Sequence, residues 1–576
     1  MSWNFIKKLK DGHISSFSNI SRQLSSATDN SRGKHDQWTP QRSDSITALG
    51  TGNPLAQLNA SKQPPIIEQG ILTITLYEAH GLSLPKEYEH SFSRPGESRS
   101  AGLSTIHNER LRNYIPYALI DFDKVQVYVS CTGGDLENPS WAGSSTQHKF
   151  DVSRVACLTI HLFANPPSGC EGPQGILLGY VRLTPRFDSK LQFEEGSSNK
   201  DHKQTSDDSH VTWADIQHGT GRLRVGVKYV ENEARKLGVS DFELLKVIGQ
   251  GNFGKVMQVR KKDTNRVYAM KSVQKGKVIA HNKVASTLAE RSVLAQVNNP
   301  FIVPLKFTFQ TPEKLYFVLA FINGGELFYH LSREKRFSVD RSRLYAAELL
   351  CALECLHELG VIYRDLKPEN ILLDYQGHIA LCDFGLCKLG MKDQDQTNTF
   401  CGTSEYLAPE IIRGDGYNKT VDWWTLGVLL WEMLIGIPPF YHRVADEMYR
   451  RILCEPLYFP SFITPVAKDL LTKLLDREPT NRLGSNGSAE IKAHPFFGAI
   501  EWRRLLERKY EPTFKPNVSD ALDITNFDTD FTSQAPQDSH VDGPALSRTM
   551  QHQFAGFSYN RPVSGLSDMG GTIDDY

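Results

Sequence analysis

The sequence predicts a multidomain chain in which an all-β sandwich precedes an α+β domain and a C-terminal tail; the motifs described below assign two lobes to the α+β domain. Short runs of alternating apolar and polar residues begin near residue 70, longer amphipathic patterns follow residue 241, and a Pro-punctuated segment follows residue 497. Alternation is typical of half-buried strands, and the longer spacing is typical of helices packed on a core. With 576 residues the chain is too long for one core, so several domains are expected.

The predicted boundaries follow changes in composition. The first part is rich in Ser, Asn, Gln and Thr and is expected to be disordered. The four predicted parts are a disordered segment at 1–65, a β-sandwich at 66–236, the domain of two lobes at 242–497 and the tail at 498–576. The alternation that indicates strands of a sandwich is clearest at residues 72–76, 125–129, 158–162 and 223–227.

Composition and charge exclude several classes of protein. Lys and Arg number 65 against 66 Asp and Glu, so net charge gives no indication of a nucleic-acid partner. The cysteines form no C-x-x-C pair and are expected to be reduced thiols. No signal-peptide core follows Met1, Ser2 stands where myristoylation needs Gly, and no apolar run reaches the ~18 residues of a membrane span. The expected location is the cytoplasm, with peripheral contact at the plasma membrane left open.

A glycine-rich stretch opens the domain of two lobes. It fits the pattern G-x-G-x-x-G-x-V, in which glycines let backbone N–H groups approach phosphate oxygens. The predicted ATP-binding positions here are Ile248, Gly249, Gln250, Gly251, Asn252, Phe253, Gly254, Lys255 and Val256. Taken alone the match is weak, because glycine-rich turns are common.

Three further residues extend the predicted ATP site. Ala269 and Lys271 lie on the strand that follows the glycines, at the distance expected of a lysine that holds the α- and β-phosphates. Glu290 lies in a helical pattern and is the candidate ion-pair partner of Lys271. Taken alone, Lys271 could instead be a solvated lysine on a strand, and Glu290 could be an exposed glutamate on a helix.

Residues 363–370 read Y-R-D-L-K-P-E-N and fit a catalytic loop of phosphoryl transfer, with Tyr where the signature has His. Asp365 is predicted to accept the proton of the attacking hydroxyl, and Lys367 to neutralise charge on the transferring phosphoryl group. Asn370 and Asp383 are the predicted Mg²⁺ ligands, the latter in a D-F-G motif. Phosphoryl transfer needs little beyond positioning and charge neutralisation, which these residue types supply.

Ala-Pro-Glu at 408–410 closes the segment that follows, and Asp422 and Arg482 stand where large-lobe ion pairs are expected. In this order the motifs resemble those of protein kinases, and the resemblance implies a fold of two lobes. A catalytically dead scaffold is the first alternative, but the lysine, the two aspartates and the asparagine named above are all present. A peripheral membrane adaptor is the second alternative, and this function is compatible with kinase activity.

Additional segments resemble the AGC group, and more narrowly the serum- and glucocorticoid-regulated kinases and their fungal counterparts, with protein kinase B as the next relative. These segments are residues 315–319, 323–331, 399–403, 527–532 and 554–559. The resemblance implies a serine/threonine protein kinase of intracellular signalling that uses ATP and Mg²⁺ on protein substrates. It also implies phosphorylation by upstream kinases at Thr399 in the activation loop and Ser558 in the hydrophobic motif, and a turn-motif site at Ser539.

Two details of the resemblance concern substrates. Glu326 and Glu369 align with family carboxylates that face basic residues upstream of the phosphoacceptor, which would favour an Arg-x-Arg-x-x-Ser/Thr site. A ribose contact or a surface charge is the alternative for Glu326. Ser404 stands where the group usually has Pro, which leaves the rigidity of the pocket for the residue after the phosphoacceptor open.

The predicted sandwich resembles a C2-type domain through residues 70–74, 78–82 and 178–181. Calcium-binding members need clustered carboxylates, because Ca²⁺ takes six to eight oxygen ligands. Asp121 and Asp123 are the nearest candidate pair, and two are too few. A calcium-independent contact with a lipid or a protein is therefore the expectation.

Overall fold

The computed structural model describes residues 70–85, 88, 114–142, 146–154, 156–165, 175–185, 210–231, 237–251, 253–391, 395–541 and 546–558. The segment predicted to be disordered, 1–65, lies outside these residues, as does the predicted ATP contact Asn252. None of the helices within the described parts of the chain is long and apolar enough to cross a membrane.

Ten strands form an N-terminal β region, defined here as the described residues between 70 and 231. They are β1 (Gly70–His80), β2 (Ile115–Phe122), β3 (Val125–Ser130), β4 (Gly133–Gly134), β5 (Pro139–Ser140), β6 (Gln147–Val152), β7 (Leu158–Asn165), β8 (Ile176–Leu183), β9 (Val211–Asp215) and β10 (Arg222–Glu231). One antiparallel sheet has the order β4-β5-β1-β10-β9, with β6 also paired to β1, and the other has the order β3-β2-β7-β8.

The alternation read from the sequence matches the strands observed. Leu72, Ile74 and Leu76 on β1 are fully buried, whereas the residues between them are half-buried. Apolar side chains of both sheets belong to one core. Strand side chains point alternately to the two faces of a sheet, so each strand contributes one row to this core.

The small lobe follows, built on a five-stranded antiparallel sheet of order β11-β12-β13-β15-β14. Its strands are β11 (Phe242–Gly251), β12 (Gly254–Lys261), β13 (Val267–Gln274), β14 (Leu305–Gln310) and β15 (Lys314–Ala320), and its helices are α1 (Lys275–Ala280) and α2 (Val284–Gln296). The outer face of this sheet shares the core of the N-terminal β region, through Met257, Val259 and Tyr268. Residues 321–323, the hinge, lead to the large lobe.

The large lobe is mainly helical. It contains α3 (Leu327–Glu334), α4 (Val339–Glu358), α5 (Pro409–Arg413), α6 (Thr420–Ile435), α7 (Ala445–Cys454), α8 (Pro465–Leu474), α9 (Ser488–Lys492) and α10 (Trp502–Leu506), with the short strands β16 (Ile371–Leu373) and β17 (Ile379–Leu381). Ser338 caps α4 by accepting a hydrogen bond from the Arg341 backbone N–H at 3.3 Å. Gly436 ends α6 at φ 104°, a left-handed conformation that glycine adopts without steric cost.

The tail returns from the large lobe across the hinge to the small lobe. It contains two short helices, α11 (Thr529–Thr532) and α12 (Arg548–His552). At the hinge, the rings of Phe321 and Phe527 stack with centroids 5.6 Å apart. The tail therefore contacts both lobes and covers part of the connection between them.

Candidate active site

The predicted phosphate-binding loop is the tip of the β11–β12 hairpin. Gly251 pairs with Gly254 across this hairpin. A Cβ on Gly254 would lie 1.7 Å from the Ser272 carbonyl oxygen, so only glycine lets the hairpin pack this closely on β13. A Cβ on Gly251 would meet nothing within 4 Å, so this backbone borders open space. Such a loop leaves room for phosphate oxygens beside its backbone.

The remaining predicted ATP contacts of the small lobe lie on the same sheet. Ile248 is on β11, Val256 is on β12, and Ala269 is on β13 opposite Leu319. The three predicted contacts and Leu319 are half-buried. The sheet thus brings together positions that lie up to about 70 residues apart in the sequence.

Lys271 links three elements of the cleft. Its Nζ donates to the Glu290 carboxylate on α2 at 2.7 Å and to Asp383 at 3.2 Å. Burial works against the charged lysine, but the carboxylates of Asp383 and Glu290 outweigh it and raise the pKa of Lys271 above its ordinary value. Lys271 lowers the pKa of Asp383 in turn. The lysine is therefore a fixed positive charge between strand, helix and D-F-G motif.

Asp365 lies in a cage of donors. Its Oδ1 accepts from the Thr403 hydroxyl at 3.0 Å, its Oδ2 accepts from the Asn370 amide at 2.8 Å, and Lys367 Nζ lies 2.9 Å from Oδ2. Burial raises the pKa of Asp365, and the Lys367 charge opposes this rise. A carboxylate held this way has its orientation fixed, as a proton acceptor for an incoming hydroxyl requires.

The backbone of the loop that carries Asp365 is held by Asp422 on α6. Asp422 accepts from the backbone N–H groups of Tyr363 and Arg364 at 3.0 and 2.8 Å, and its Oδ2 lies 2.7 Å from His357 Nε2. Arg364 has φ 68°, a conformation that L-residues adopt only when other contacts hold it. Asp422 therefore fixes the backbone of the predicted catalytic loop.

Arg482 is fully buried and pairs with both oxygens of Glu410 at 2.6 and 2.9 Å. This pair ties the end of the activation segment to the helical core, and a bidentate pair fixes direction as well as distance. Arg482 is thus in the kind of large-lobe pair expected from the sequence. Asp422 differs in that its partners are a histidine and two backbone amides.

The residues predicted to hold Mg²⁺ lie side by side. The Cys382 backbone N–H donates to the Asn370 carbonyl oxygen at 2.9 Å, which sets Asp383 next to Asn370. Within the described residues no three His, Cys, Asp or Glu side chains form a group that could hold a metal. Mg²⁺ is commonly held by one or two protein ligands together with substrate phosphates, so this donor set fits that ion.

Thr399 is exposed at the side of the catalytic loop. The Tyr417 hydroxyl donates to its carbonyl oxygen at 2.7 Å and accepts from Arg364 at 3.0 Å. Arg364 also donates to the Leu386 carbonyl oxygen at 2.7 Å. One tyrosine thus connects the predicted phosphorylation site to the arginine that precedes Asp365.

Comparison with known proteins gives the family. The model of the protein kinase domain matches residues 242–497, and that of the protein kinase C terminal domain matches residues 518–559. Serine/threonine protein kinase ypkA of Aspergillus fumigatus is 53% identical over 632 residues, covering 100% of this chain and 99% of that protein. Serine/threonine-protein kinase gad8 of Schizosaccharomyces pombe is 47% identical over 578 residues, covering 98% and 97%. Serine/threonine-protein kinase Sgk2 of Homo sapiens is 50% identical over 325 residues, covering 56% and 89%.

The chain belongs to the AGC-type serine/threonine protein kinases. It is an enzyme of that class, and the small and large lobes are those of its protein kinase domain. The prediction of a serine/threonine kinase made from the motifs is therefore confirmed.

The kinase has its C-terminal aromatic segment seated in the small lobe. Phe554 and Phe557 are fully buried, and the ring of Phe557 meets Phe317 edge-on at 5.1 Å. Thr308 and Gln310 on β14 donate to the carbonyl oxygens of these phenylalanines at 2.6 and 3.1 Å. Ser558 is exposed at the end of the seated segment.

Lys275 on α1 completes this seat. Its Nζ lies 5.2 Å from the centroid of the Phe554 ring and donates to Gln551 at 2.7 Å. The sequence motifs did not identify Lys275 or Thr308. These residues lie on a helix and a strand near the predicted ATP site. Nothing in the sequence around them predicts contact with a segment about 250 residues away.

The predicted turn-motif residue Ser539 lies against β15. Lys314 Nζ donates to the Ser539 carbonyl oxygen and to Asp538 Oδ1, and Tyr316 donates to Asp538 Oδ2 at 2.7 Å. Lys314 is buried. The segment is therefore anchored through Asp538 as well as through its backbone.

Glu326 and Glu369, the residues expected to face the peptide, are half-buried. Glu326 forms an isolated backbone bridge with Leu372, just after the catalytic loop. Burial, then the charges of Glu432 and Glu369, raise the pKa of Tyr406. The Tyr449 hydroxyl donates to Ser404 at 3.4 Å, which gives this serine a partner where the group usually has proline.

Thr403 was missed as a site residue, although it donates to Asp365 and accepts from Lys367 at 3.0 Å. The Cys-Gly-Thr sequence could have indicated it. Asp121 and Asp123 were considered for calcium and judged too few for a site, but the sequence did not predict their burial. Asp121 and Asp123 are buried, and Asp123 pairs with Lys306 of the small lobe and with Arg154.

Proposed function

We propose that this AGC-type kinase phosphorylates Ser and Thr that follow upstream Arg residues, and that phosphates on Thr399 and Ser558 activate it. The seating of Phe554 and Phe557 in the small lobe is the observation that carries the proposal. Those rings belong to the same core as Val293 on α2, the helix that supplies Glu290. The docked tail and the helix that supplies Glu290 therefore share one apolar core, which supports the proposed link between tail docking and the Lys271 partner.

We propose ATP and Mg²⁺ as substrate and cofactor. ATP supplies the phosphoryl group, and Mg²⁺ neutralises phosphate charge when bound. The open space beside Gly251 and the adjacent donors Asn370 and Asp383 support this assignment. Lys271 would orient phosphate oxygens from the small-lobe side of the cleft.

The catalytic loop supplies the remaining chemistry. Asp365 orients the substrate hydroxyl and accepts its proton, because Thr403 and Asn370 fix its two oxygens. Lys367 lies 2.9 Å from Asp365, where a fixed positive charge can stabilise charge on the transferring group. A phosphate on Thr399 is proposed to pair with Arg364; the shared partner Tyr417, which accepts from Arg364 and donates to the Thr399 carbonyl oxygen, supports this.

Substrate preference is proposed to depend on Glu326 and Glu369. A carboxylate pairs with a guanidinium through two parallel hydrogen bonds, which a lysine ammonium cannot form. Upstream kinases acting on Thr399 and Ser558, and protein substrates, are the proposed partners. The half-buried positions of both glutamates support a role beyond surface charge.

A peptide array tests this preference. The phosphorylated kinase is expected to select Arg at upstream positions, and Glu326→Gln and Glu369→Gln should each weaken the selection by about tenfold at one position. Glu511→Gln, which changes a carboxylate paired with Lys515 on the surface, is the control and should leave the array unchanged. Unaltered Arg selection in both glutamate variants would remove the proposed role.

The N-terminal β region is proposed to be C2-like and to make a calcium-independent contact with a membrane lipid or a protein, with the cytoplasm and the periphery of the plasma membrane as its location. Millimolar Ca²⁺ is expected to change neither the Tm of the full chain nor its pelleting with phosphatidylserine vesicles, because Asp121 and Asp123 are buried. Matched samples with Mg²⁺ and with chelator serve as controls. A calcium-specific rise in Tm would contradict this prediction.

A further inference from the structure

The two-residue turn Asp123–Lys124, which joins β2 to β3, lies between the two lobes of the kinase. Both residues are buried. Both have positive φ, 50° and 63°, as a tight hairpin turn requires. Turns of this type favour Asn-Gly, whereas this one has two opposite charges. The charges therefore need an explanation other than turn geometry.

Asp123 faces the small lobe. It pairs with Lys306 on β14, whose side chain has 0% exposure, and with Arg154 at 2.7 Å. Burial raises its pKa, but the charges of Arg154 and Lys306 outweigh this and hold the pKa of Asp123 below its ordinary value. Asp123 is therefore charged in a buried setting, and it depends on these partners.

Lys124 faces the large lobe. Its Nζ donates to Asp374 at 3.2 Å, and both side chains are 4% exposed. Asp374 follows β16, the strand that comes directly after the catalytic loop. It also accepts from Arg508, at the start of the tail. Two adjacent residues of one turn thus pair with opposite lobes.

The N-terminal β region is anchored to the small lobe at a second place. Asp151 on β6 accepts from Lys261 at 2.9 Å, from Thr264 at 3.0 Å and from Tyr268 at 2.7 Å, and all four residues are buried. Because this anchor is independent of the turn, the region has a fixed position on the small-lobe sheet. On the large-lobe side, His161 contacts Gln376 at 3.1 Å, and Arg182 donates to the Glu507 carbonyl oxygen at 3.2 Å.

The turn also lies behind the hinge. A small cleft is lined by Lys124, Val125 and Gln126 on one side and by Phe321 and Asn323 on the other. Opening of the nucleotide cleft rotates the lobes about this connection. Because Asp151 anchors the β region to the small lobe, such rotation moves Asp374 of the large lobe relative to Lys124.

We propose that the Asp123–Lys124 turn is a strut that sets the separation of the two lobes, so that both residues are positioning residues for the nucleotide cleft. Separating Lys124 from Asp374 leaves buried charges with incomplete pairing, which opposes opening. The strut therefore favours the closed arrangement, in which Lys271 contacts both Glu290 and Asp383. If pairing of the turn with both lobes increases nucleotide affinity, then by thermodynamic reciprocity bound nucleotide must stabilise this paired state of the turn.

The first test changes one end of the strut in the full-length chain. Lys124→Met keeps the length of the side chain and removes its charge, while Asp374 retains Arg508. The Kd of ADP, measured by titration calorimetry, is expected to rise by about five- to tenfold. The kcat is expected to fall by less than about twofold, because product release requires the lobes to open. Lys228→Met, which removes an exposed lysine from β10 of the same region, is the matched control.

A variant that only destabilises the fold would lower Tm, and it would not raise the Kd of ADP while leaving kcat nearly unchanged. Lys124→Arg keeps the charge and is expected to recover at least half of the lost binding free energy. An unchanged ADP Kd in folded Lys124→Met protein would overturn the proposal.

The second test needs no variant. In the wild-type chain, saturating ADP with Mg²⁺ is expected to slow amide exchange at residues 122–125 at least about threefold, as linkage between the turn and lobe closure requires. Residues 223–227 on β10, which pair with β1 and β9 and not with the strands of the turn, provide the internal control. Equal exchange at the turn with and without nucleotide would overturn the proposal even if the lysine variant failed to fold.

Discussion

Replacement of Asp365 by Asn is expected to lower kcat by roughly 10²- to 10⁴-fold while ATP still binds. The amide is nearly the same size as the carboxylate, so the contacts of Thr403 and Asn370 limit any rearrangement. What is lost is the ability to accept the hydroxyl proton, together with the negative charge beside Lys367. Radiolabelled phosphate transfer to a peptide measures the loss, and nucleotide titration measures the retained binding.

Asp215→Asn is the control for this experiment, since Asp215 is an exposed aspartate on β9, far from the cleft. It should keep wild-type kcat. Turnover within about threefold of wild type in carefully purified Asp365→Asn enzyme would exclude the role as proton acceptor.

The second large effect is expected at the tail. Phe554→Ala removes a fully buried ring and should cost about 3–5 kcal/mol of packing at the docking site. The Phe554 ring lies against Lys275 on α1, the helix that precedes α2 and its Glu290, so undocking removes a contact from this part of the small lobe. Activity is therefore expected to fall by more than about tenfold in a chain phosphorylated at Thr399.

The decisive sample combines Phe554→Ala with Ser558→Asp. A negative charge cannot restore docking that depends on the ring, so the double variant should be as inactive as Phe554→Ala alone. Met550→Ala, an exposed apolar residue on the neighbouring α12, is the matched control and should retain activity. Full activity in the double variant would show that the tail does not control this kinase.

Thr399→Ala is expected to be the most severe change in the activation segment, and to reduce activity nearly to zero. Only a phosphate at this exposed position can add a charged bond to Arg364, which otherwise reaches it through Tyr417. Thr397→Ala, at a buried neighbouring position, tests stability rather than charge. Equal activity of Thr399→Ala and wild type after treatment with an upstream kinase would contradict the prediction.

The sequence predicts those parts of the candidate site that short motifs specify. Lys271, Glu290, Asp365 and Asp383 could be named because phosphoryl transfer restricts residue type and order. In the structure Lys271 lies within hydrogen-bonding distance of Glu290 and Asp383, and Asp365 lies within that distance of Lys367. The aromatic frame of the tail was likewise predictable, because apolar rings in a polar segment require a groove.

Contacts between distant buried charges could not be predicted. Asp123 and Lys306 are 183 positions apart, and Lys124 and Asp374 are 250 apart. Local periodicity says which side chains are buried but not which other element covers them. The sequence does not show what neutralises Asp123, and only the folded chain identifies Lys306 and Arg154 as its partners.

The seated phenylalanines also bear on how the protein is made. Phe557 packs against Phe317, so a segment synthesised 240 residues later fills a gap in the small lobe. Until that moment the nascent small lobe exposes an apolar groove around Phe317. A chain truncated before Phe554 would therefore keep this apolar groove exposed. We expect such a chain to be bound by chaperones and degraded by proteases.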